Sequence, residues 1–246
     1  MNESIILRMQ ADLERALLKP ASKRKWAMLV DIRKCTGCHS CSVSCKAENK
    51  TPQGVNYRWV KEAEDGEFPN VMRIFMPSLC MQCDNAPCIK ACTSGAITKR
   101  EDGIVAVDYS KCVSCGGQAV SACPYNALSV DKGGYYTDGT PKVMDYEKGP
   151  VFEYSSKYTR NASGIPVGSC RKCHYCLHRL ESAVLPACVT TCLGGANYFG
   201  DINDPQSLVY QKAKELKLYT FMAGEKTSPT TKFVTDSVEL CDKCHG

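Results

Sequence analysis

The chain has 246 residues, of which 43% are hydrophobic, and a formal net charge of +5. This length is enough for one or two domains with their own cores. No segment approaches the roughly 18 apolar residues of a membrane helix, so we expect a chain that does not itself span a membrane. Lysine and arginine are scattered, and no aromatic residues interleave with a basic stripe, which argues against nucleic-acid binding.

Residues 1–25 predict an N-terminal helix and a linker. Apolar residues recur at helical spacing in "IILRMQADLERALL", residues 5–18, which indicates an amphipathic helix. This helix would dock either on a partner protein or on its own domain. The basic cluster "KPASKRK" follows the apolar part, unlike the order in a secretory signal peptide or a twin-arginine leader. We therefore expect that any export depends on a partner.

Other segments predict ordinary elements. Residues 26–31 predict a strand, and residues 96–108 predict a hairpin with "EDG" at its turn. Asp204 and Pro205 suit the cap and first position of a helix that continues as "QSLVYQKAKELK". Residues 131–168 show no clear period, so we predict a loop insertion that covers a partner surface.

Cysteine is the outlier of the composition, at 18 of 246 residues. Most of these residues fall into four groups, which are Cys35, Cys38, Cys41 and Cys45; Cys80, Cys83, Cys88 and Cys92; Cys112, Cys115 and Cys123; and Cys173, Cys176, Cys188 and Cys192. In two-cluster ferredoxins, a C-x2-C-x2-C loop supplies three thiolates to one [4Fe–4S] cluster, and the cysteine three residues further on ligates the other cluster. The recurrence of this spacing favours iron–sulfur clusters over zinc knuckles, strained disulfides or a simple enrichment in a small core residue.

The third group, "CVSCGGQAVSACP", lacks one cysteine and has one residue too many. Counted forward from Cys112, the third ligand position falls on Gln118. Counted back from Cys123, it falls on Ala119. Neither side chain is an ordinary iron ligand, so the sequence leaves one ligand position open.

The C-terminal "CDKCHG" contains Cys241, Cys244 and His245, which match the attachment pattern of a c-type haem. The same pattern ends at His39 and His174, where the cysteines belong to iron–sulfur groups. A covalent haem c at the tail therefore competes with interface thiols, a zinc site or a spare cluster ligand.

The order of the four groups, with "LPACVTTC" closing the fourth, resembles the iron–sulfur (beta) subunits of the molybdopterin oxidoreductase family, also called the DMSO reductase family. These subunits accompany reductases of dimethyl sulfoxide, polysulfide, thiosulfate, tetrathionate, arsenate and nitrate, and formate dehydrogenases. The segments "KWAMLVDIRKC", "EDGIVAVDYSKCVSC" and "GANYFGDINDPQS" extend the likeness over about residues 26–210. Of the cysteines that close a group, only Cys123 precedes a proline as in many members, so the subfamily stays open.

The resemblance implies four cluster sites, formed by pairing group one with group four and group two with group three. By that pairing, site one takes Cys35, Cys38, Cys41 and Cys192; site two takes Cys80, Cys83, Cys88 and Cys123; site three takes Cys92, Cys112 and Cys115; and site four takes Cys45, Cys173, Cys176 and Cys188.

A cube with three thiolates readily loses its unligated iron, and respiratory nitrate reductase beta subunits hold such a three-iron cluster. We therefore predict three [4Fe–4S] clusters and, at site three, one [3Fe–4S] cluster of higher potential. Two alternatives stay open. In the first, Cys170, Cys241 or Cys244 supplies the fourth ligand. In the second, the extra residue distorts the loop and abolishes the cluster.

The fold that the resemblance implies is α+β, with two ferredoxin-like halves. One half is discontinuous and joins residues 26–66 with 165–204, and the other is residues 68–132. A loop insertion would fill residues 133–164, and a C-terminal helix with a cysteine-containing tail would fill residues 205–246. The clusters would contribute much of each core, because metal binding supplies folding free energy in such small domains.

The implied function is electron transfer between a molybdenum or tungsten bis-pterin catalytic subunit and a membrane quinone module or cytochrome, with no catalytic residues in this chain. One alternative is the iron–sulfur subunit of a nickel–iron hydrogenase or formate hydrogenlyase, and another is a free soluble polyferredoxin.

Because haem attaches outside the cytoplasm, the tail motif favours the extracytoplasmic face of the membrane, reached by co-export with a partner. The cytoplasmic face is the alternative.

Overall fold

The computed structural model describes residues 4–112, 117–160 and 165–236. Its α-helices within these ranges are α1 Ile5–Leu17, α2 Ser40–Asn49, α3 Pro87–Lys90, α4 Gln118–Ser121, α5 Asp145–Lys148, α6 Leu177–Glu181, α7 Ala187–Thr190 and α8 Leu208–Glu215. Short 3-10 helices span Ala21–Lys23, Ile32–Lys34 and Ala223–Glu225. Among the described residues, no helix is long and apolar enough to cross a bilayer.

The strands are short and belong to several small sheets. They are β1 Trp26–Asp31, β2 Arg58–Asp65, β3 Met72–Leu79, β4 Ile97–Lys99, β5 Val105–Val107, β6 Leu128–Val130, β7 Pro150–Glu153, β8 Ser156–Thr159, β9 Cys170–Lys172, β10 Asn197–Asp201, β11 Leu218–Tyr219 and β12 Thr231–Val234. This mixture of short helices and strands confirms the α+β class.

The largest sheet has four strands in the order β10-β1-β12-β11. β1 runs antiparallel to β10 and parallel to β12, with Met28 opposite both Phe199 and Thr231. All six residues of β1 are buried, as expected for a central strand with both faces covered. The predicted strand at residues 26–31 is therefore confirmed, whereas the sequence did not predict its neighbour β12.

Helix α1 packs on its own domain, where it lies against β10 and α8. Its apolar face buries Met9, Leu13 and Ala16. The Asp12 carboxylate accepts a hydrogen bond from the backbone N–H of Leu208 at 2.7 Å, which ties α1 to the start of α8. The predicted helix is confirmed, and of the two predicted docking surfaces α1 occupies the one within this chain.

Two hairpins and a shared ladder surround the cysteine-bearing loops. β2 and β3 pair over eight residues each, and β4 pairs with β5 in the predicted hairpin. The turn of that hairpin closes where the Gly103 N–H donates to the Arg100 carbonyl at 3.0 Å. β6 pairs with β9, so that Val130 lies opposite Cys170. This last pair joins the segment after the third cysteine group to the segment before the fourth.

The prediction of a loop throughout residues 131–168 is wrong. The segment contains α5 and the antiparallel hairpin β7–β8. Its strands are only four residues long, too short for a visible alternation, and the hairpin is anchored by a buried charge. That charge is Glu153, which is fully buried among ionic partners that sequence patterns do not show.

The predicted start of the last helix is also wrong. α8 begins at Leu208, and its N-cap is Ser207, whose side chain accepts a hydrogen bond from the Tyr210 N–H at 3.2 Å. Asp204 instead forms an ion pair with Arg15 at 2.9 Å. Asp204 still accepts a local hydrogen bond from the Gln206 N–H at 3.0 Å, but the helix begins three residues later than the Asp-Pro pair indicated.

Candidate iron–sulfur sites

Site one joins the first cysteine group to the end of the fourth. One small cavity is lined by Cys35, Cys38, Cys41 and Cys192. The 3-10 turn at residues 32–34 leads into this loop, and α2 holds Cys41 in its first turn. The backbone N–H of Ala196 donates to the Cys192 Sγ at 3.2 Å. Thiols from two distant parts of the sequence therefore face one space.

The tight loop of site one depends on Gly37. This residue has φ +68°, and an added Cβ would lie 2.4 Å from the nearest ring carbon of Phe75. Any other residue at this position would have a strained backbone conformation, and its Cβ would clash with the Phe75 ring. Glycine therefore allows the chain to turn sharply between Cys35 and Cys38.

Site four is the mate of site one, and it joins the last cysteine of the first group to three cysteines of the fourth. Its four buried cysteines are Cys45, Cys173, Cys176 and Cys188. Burial raises the pKa of Cys45 well above its ordinary value, and the charges of the other three thiols raise it further, which places all four close together. The Asn49 side-chain amide donates to Cys45 Sγ at 3.4 Å and to Cys176 Sγ at 3.7 Å. Such N–H···S contacts stabilise negative charge on sulfur.

Site two pairs the second group with the end of the third. A second small cavity is lined by Cys80, Cys83, Cys88 and Cys123. Burial raises the pKa of Cys83 to about 12 and that of Cys88 to about 11, with added contributions from the neighbouring thiols. These thiols therefore stay protonated near neutral pH until a metal replaces the protons.

Site three contains Cys92 and Cys112, both half-buried, whereas Cys115 lies outside the described residues. Of the two residues at the missing ligand position, Gln118 is exposed and Ala119 is buried. The structure brings Cys170 to this site, because its backbone N–H donates to the Cys112 Sγ at 3.3 Å. Burial raises the pKa of Cys170, and the charges of Cys112, Cys88 and Cys92 add to this increase.

The four sites adjoin one another in the order one, four, two, three. α2 holds Cys41 of site one and Cys45 of site four one helical turn apart. Burial and then the charge of Cys80 in site two raise the pKa of Cys173 in site four, so these two sites are neighbours. Site two adjoins site three through Cys88 on α3 and Cys92 just after that helix.

Exposure differs between the ends and the middle of this row. All eight cysteines of sites four and two are buried. In site one, Cys38 is exposed, and Cys35 and Cys192 are half-buried. At the other end, Cys92 and Cys112 of site three are half-buried. The row therefore approaches the surface at both ends and is covered in the middle.

Two buried cations lie within the row, and neither stood out in the sequence. Burial opposes the charge of Arg58, but the neighbouring thiols Cys188 and Cys41 outweigh burial and raise its pKa, which places it between sites four and one. Lys172 is fully buried, and its Nζ donates to the Cys173 carbonyl at 2.7 Å. In the sequence, Arg58 is marked only by its charge at the start of a strand, and Lys172 only by its position directly before Cys173.

A buried ionic network supports the row from one side. Glu153 accepts hydrogen bonds from Arg171 at 3.1 Å and from the hydroxyls of Tyr57 and Tyr109. Burial alone would raise the pKa of Glu153, but the charge of Arg171 and the neighbouring His174, whose Nε2 lies 3.6 Å from the carboxylate, outweigh burial and lower it to about 2. Glu153 is therefore an anion in the fold, and its ion pair with Arg171 fixes the hairpin β7–β8 against β9.

Each of the three described histidines has a polar neighbour. His174 Nδ1 accepts from the Leu177 N–H at 2.8 Å, and burial lowers its pKa. His178 Nε2 lies 2.8 Å from Glu48, and the exposed His39 lies 3.8 Å from Glu62. His245, Cys241 and Cys244 lie outside the described residues, so the haem attachment stays a prediction.

The donor sets fit iron–sulfur clusters. Sites one and two each present four thiols to one cavity, and site four gathers four mutually close thiols. Four thiolates are what a four-iron cube requires. Among residues 4–112, 117–160 and 165–236, no group of three or more His, Cys, Asp or Glu side chains is arranged around a single metal ion, so these thiols fit a cluster of several irons.

Comparison with known families gives one match. A model described as a 4Fe-4S dicluster domain matches residues 71–138 and 154–202. The matched ranges contain the second, third and fourth cysteine groups, and the first group lies before them.

Curated relatives match over more of the chain. A selenate reductase subunit of Mesobacillus selenatarsenatis is 47% identical over 234 residues, which are 95% of this chain and 80% of the relative. A tetrathionate reductase subunit of Salmonella typhimurium is 40% identical over 192 residues, 76% of this chain and 62% of the relative. The arsenate respiratory reductase iron-sulfur subunit of Shewanella sp. strain ANA-3 is 32% identical over 222 residues, 84% of this chain and 94% of the relative.

Proposed function

We propose a function for this chain from the premise that it belongs to the iron–sulfur subunit family of the molybdopterin oxidoreductases. Iron–sulfur clusters bound by cysteine thiolates take up and release electrons. The chain relays electrons between a molybdenum or tungsten bis-pterin catalytic subunit and a membrane quinone module or cytochrome. Three relatives are named for selenate, tetrathionate and arsenate, which supports a relay whose substrate is determined by the catalytic partner.

One observation carries this proposal, and it is the row of sites with covered middle members and accessible ends. The cysteines of sites four and two are buried, so water and small oxidants have little access to them. Cys38 at one end is exposed, and Cys92 and Cys112 at the other end are half-buried. Electrons therefore enter and leave at opposite ends of the row, where protein partners make contact.

The cluster inventory belongs to the same proposal. Sites one, two and four each hold one [4Fe–4S] cluster, and site three holds a fourth cluster. Sites one and four belong to one ferredoxin-like half, residues 26–66 with 165–204, and sites two and three belong to the other, residues 68–132. The exchange of the last cysteine within each pair of groups supports this division.

The test of the relay is anaerobic purification of the tagged full-length chain with whatever binds it, followed by metal analysis. Molybdenum or tungsten in a stoichiometric complex, with about sixteen non-haem iron atoms per chain, is expected. Nickel in the partner would indicate the hydrogenase or formate hydrogenlyase alternative. A fully clustered monomer without a partner would indicate a free polyferredoxin, and a chain without iron would contradict the electron-transfer function.

Location and the tail motif form a linked proposal, with the complex on the extracytoplasmic face and haem c on Cys241, Cys244 and His245. Covalent haem stays with the chain after denaturation, so haem staining of a denaturing gel tests the motif. A stained band lost in a Cys241→Ala, Cys244→Ala double variant is expected. Protease accessibility in spheroplasts tests the location separately, and protection from added protease would indicate the cytoplasmic face.

A further inference from the structure

We infer that Cys170 is the fourth ligand of site three, so that this site holds a [4Fe–4S] cluster in place of the three-iron cluster predicted from the sequence. The inference rests on the proposed function, because it assumes that the four sites bind iron–sulfur clusters. It adds a ligand that lies outside the four cysteine groups.

The missing ligand position of site three lies on α4. Three other helices or helix ends carry pairs of cysteines four residues apart, namely Cys41 and Cys45, Cys88 and Cys92, and Cys188 and Cys192. On α4 the corresponding pair is Ala119 and Cys123. Ala119 is buried and its methyl group offers no electron pair, whereas Gln118 is exposed. Neither residue supplies a ligand from the position where the other groups have one.

Cys170 reaches the same region from the neighbouring strand. It is the first residue of β9 and pairs with Val130 of β6, the strand that packs against α4. Its side chain is buried, and its backbone N–H donates to the Cys112 Sγ at 3.3 Å. Residue 170 therefore lies next to Cys112, a predicted ligand of site three.

The register of β9 directs this thiol toward the clusters. Alternate residues of a strand point to opposite faces, so Cys170 and Lys172 share one face and Arg171 has the other. Arg171 is held by Asp131 at 3.1 Å and by Glu153 at 3.1 Å. On the opposite face, the Lys172 Nζ donates to the backbone carbonyls of Val105 at 2.5 Å and of Cys173, a predicted ligand of site four, at 2.7 Å. A slip by one residue would break both ion pairs, so Cys170 is held on the face of the clusters.

Electron paramagnetic resonance of the complex, purified anaerobically and oxidised with a mild one-electron mediator in the absence of oxygen, tests the inference, with iron counted on the same sample. Oxidised [3Fe–4S] is paramagnetic, and [4Fe–4S]2+ is silent. We expect the wild type to show no three-iron signal and about sixteen non-haem iron atoms per chain. In Cys170→Ala we expect a near-isotropic signal of about one spin per chain and the loss of about one iron atom.

The matched control is the Cys241→Ala, Cys244→Ala double variant, which removes the other two cysteines outside the four groups. It should stay silent, and a three-iron signal in this variant would overturn the inference in favour of a tail ligand. A three-iron signal of about one spin per chain in the wild type would overturn it directly, whether or not Cys170→Ala folds. Wild-type protein with only about twelve non-haem iron atoms and no signal would mean that site three is empty, which also overturns it. Absence of all clusters would instead contradict the proposed function.

Discussion

Asn49 illustrates how one side chain can adjust a cluster site without ligating iron. Its amide nitrogen lies 3.4 Å from the Cys45 Sγ and 3.7 Å from the Cys176 Sγ, so one donor serves two thiols of site four. Hydrogen bonds to sulfur are among the determinants of cluster potential, because they favour the more negative, reduced state. Asn49 is fully buried, so water cannot replace it.

We predict that Asn49→Leu lowers the reduction potential of one cluster. Leucine has a similar volume but no donor, so the reduced state of site four loses its hydrogen bonds. A hydrogen bond to a charged group contributes about 1.5–3 kcal/mol, of which only part differs between redox states, so we expect a decrease of roughly 20–60 mV. Redox titration followed by electron paramagnetic resonance measures all the clusters of one sample.

The other three clusters serve as internal controls for this variant. Asn70→Leu is a matched control, because Asn70 lies on the exposed turn between β2 and β3. Unchanged potentials of all clusters in Asn49→Leu would show that these contacts do not influence the iron–sulfur chemistry.

Helix α1 stabilises the fold by burying its apolar face, in which Leu13 is completely buried. This side chain is completely buried where α1 packs against β10 and α8. Shortening a buried leucine to alanine typically costs 2–5 kcal/mol, because it removes apolar contacts and leaves a cavity. We predict that Leu13→Ala lowers the free energy of unfolding by about this amount, measured in urea by far-ultraviolet circular dichroism under anoxic conditions.

Leu7 provides the control for Leu13, because it lies on the same helix and is 65% exposed. Leu7→Ala should change the unfolding free energy by less than about 0.5 kcal/mol. Equal effects of the two substitutions would mean that α1 is not packed on its own domain in solution.

The hairpin β7–β8 depends on Glu153, and this dependence should vary with pH. The pKa of Glu153 is lowered from 4.5 to about 2 in the fold. Its contribution to stability is therefore complete above the unfolded pKa and is lost as pH falls through about 2. We predict that Glu153→Gln lowers the free energy of unfolding by about 3–5 kcal/mol near pH 7, because the buried charge of Arg171 loses one of its two anionic partners.

The difference in unfolding free energy between wild type and Glu153→Gln should therefore shrink as pH falls below about 4.5. Glu64→Gln is the control, since the Glu64 side chain is 62% exposed and its ion pair with Arg73 lies at the surface. A difference that stays constant between pH 7 and pH 3 would show that Glu153 is not an anion in the fold.

The four sites should lose iron to oxidants at different rates, because the two end sites are more accessible than the two middle sites. Sites one and three have exposed or half-buried cysteines, whereas those of sites four and two are buried. We predict that ferricyanide with a chelator removes iron in two phases, with about half of the iron lost quickly from the end sites. Iron release measured by a colorimetric chelator gives both rates.

Binding of the catalytic and membrane partners should slow the fast phase, because the proposed contacts cover the ends of the row. The slow phase should not change. Iron loss in a single phase, from the isolated chain and from the complex alike, would contradict a row with protected middle sites.

Local spacing in the sequence was enough to predict the chemistry and several elements. The cysteines of one loop lie within a few residues of one another, so their grouping can be read without knowing the fold. The same holds for α1 and β1, since helical spacing over residues 5–18 and the apolar run at 26–31 are local patterns. The likeness to known iron–sulfur subunits suggested which groups belong together.

Only the tertiary structure decided what depends on contacts between distant segments. Cys170 lies beside Cys112 because β9 pairs with β6, and no spacing rule relates these residues. Arg58 lies among the sulfurs of two sites although it reads as an ordinary strand residue. Glu153 anchors a hairpin that has no periodic pattern. Ligand type and loop spacing are local properties of the chain, whereas the position of a single buried thiol or charge is determined by packing.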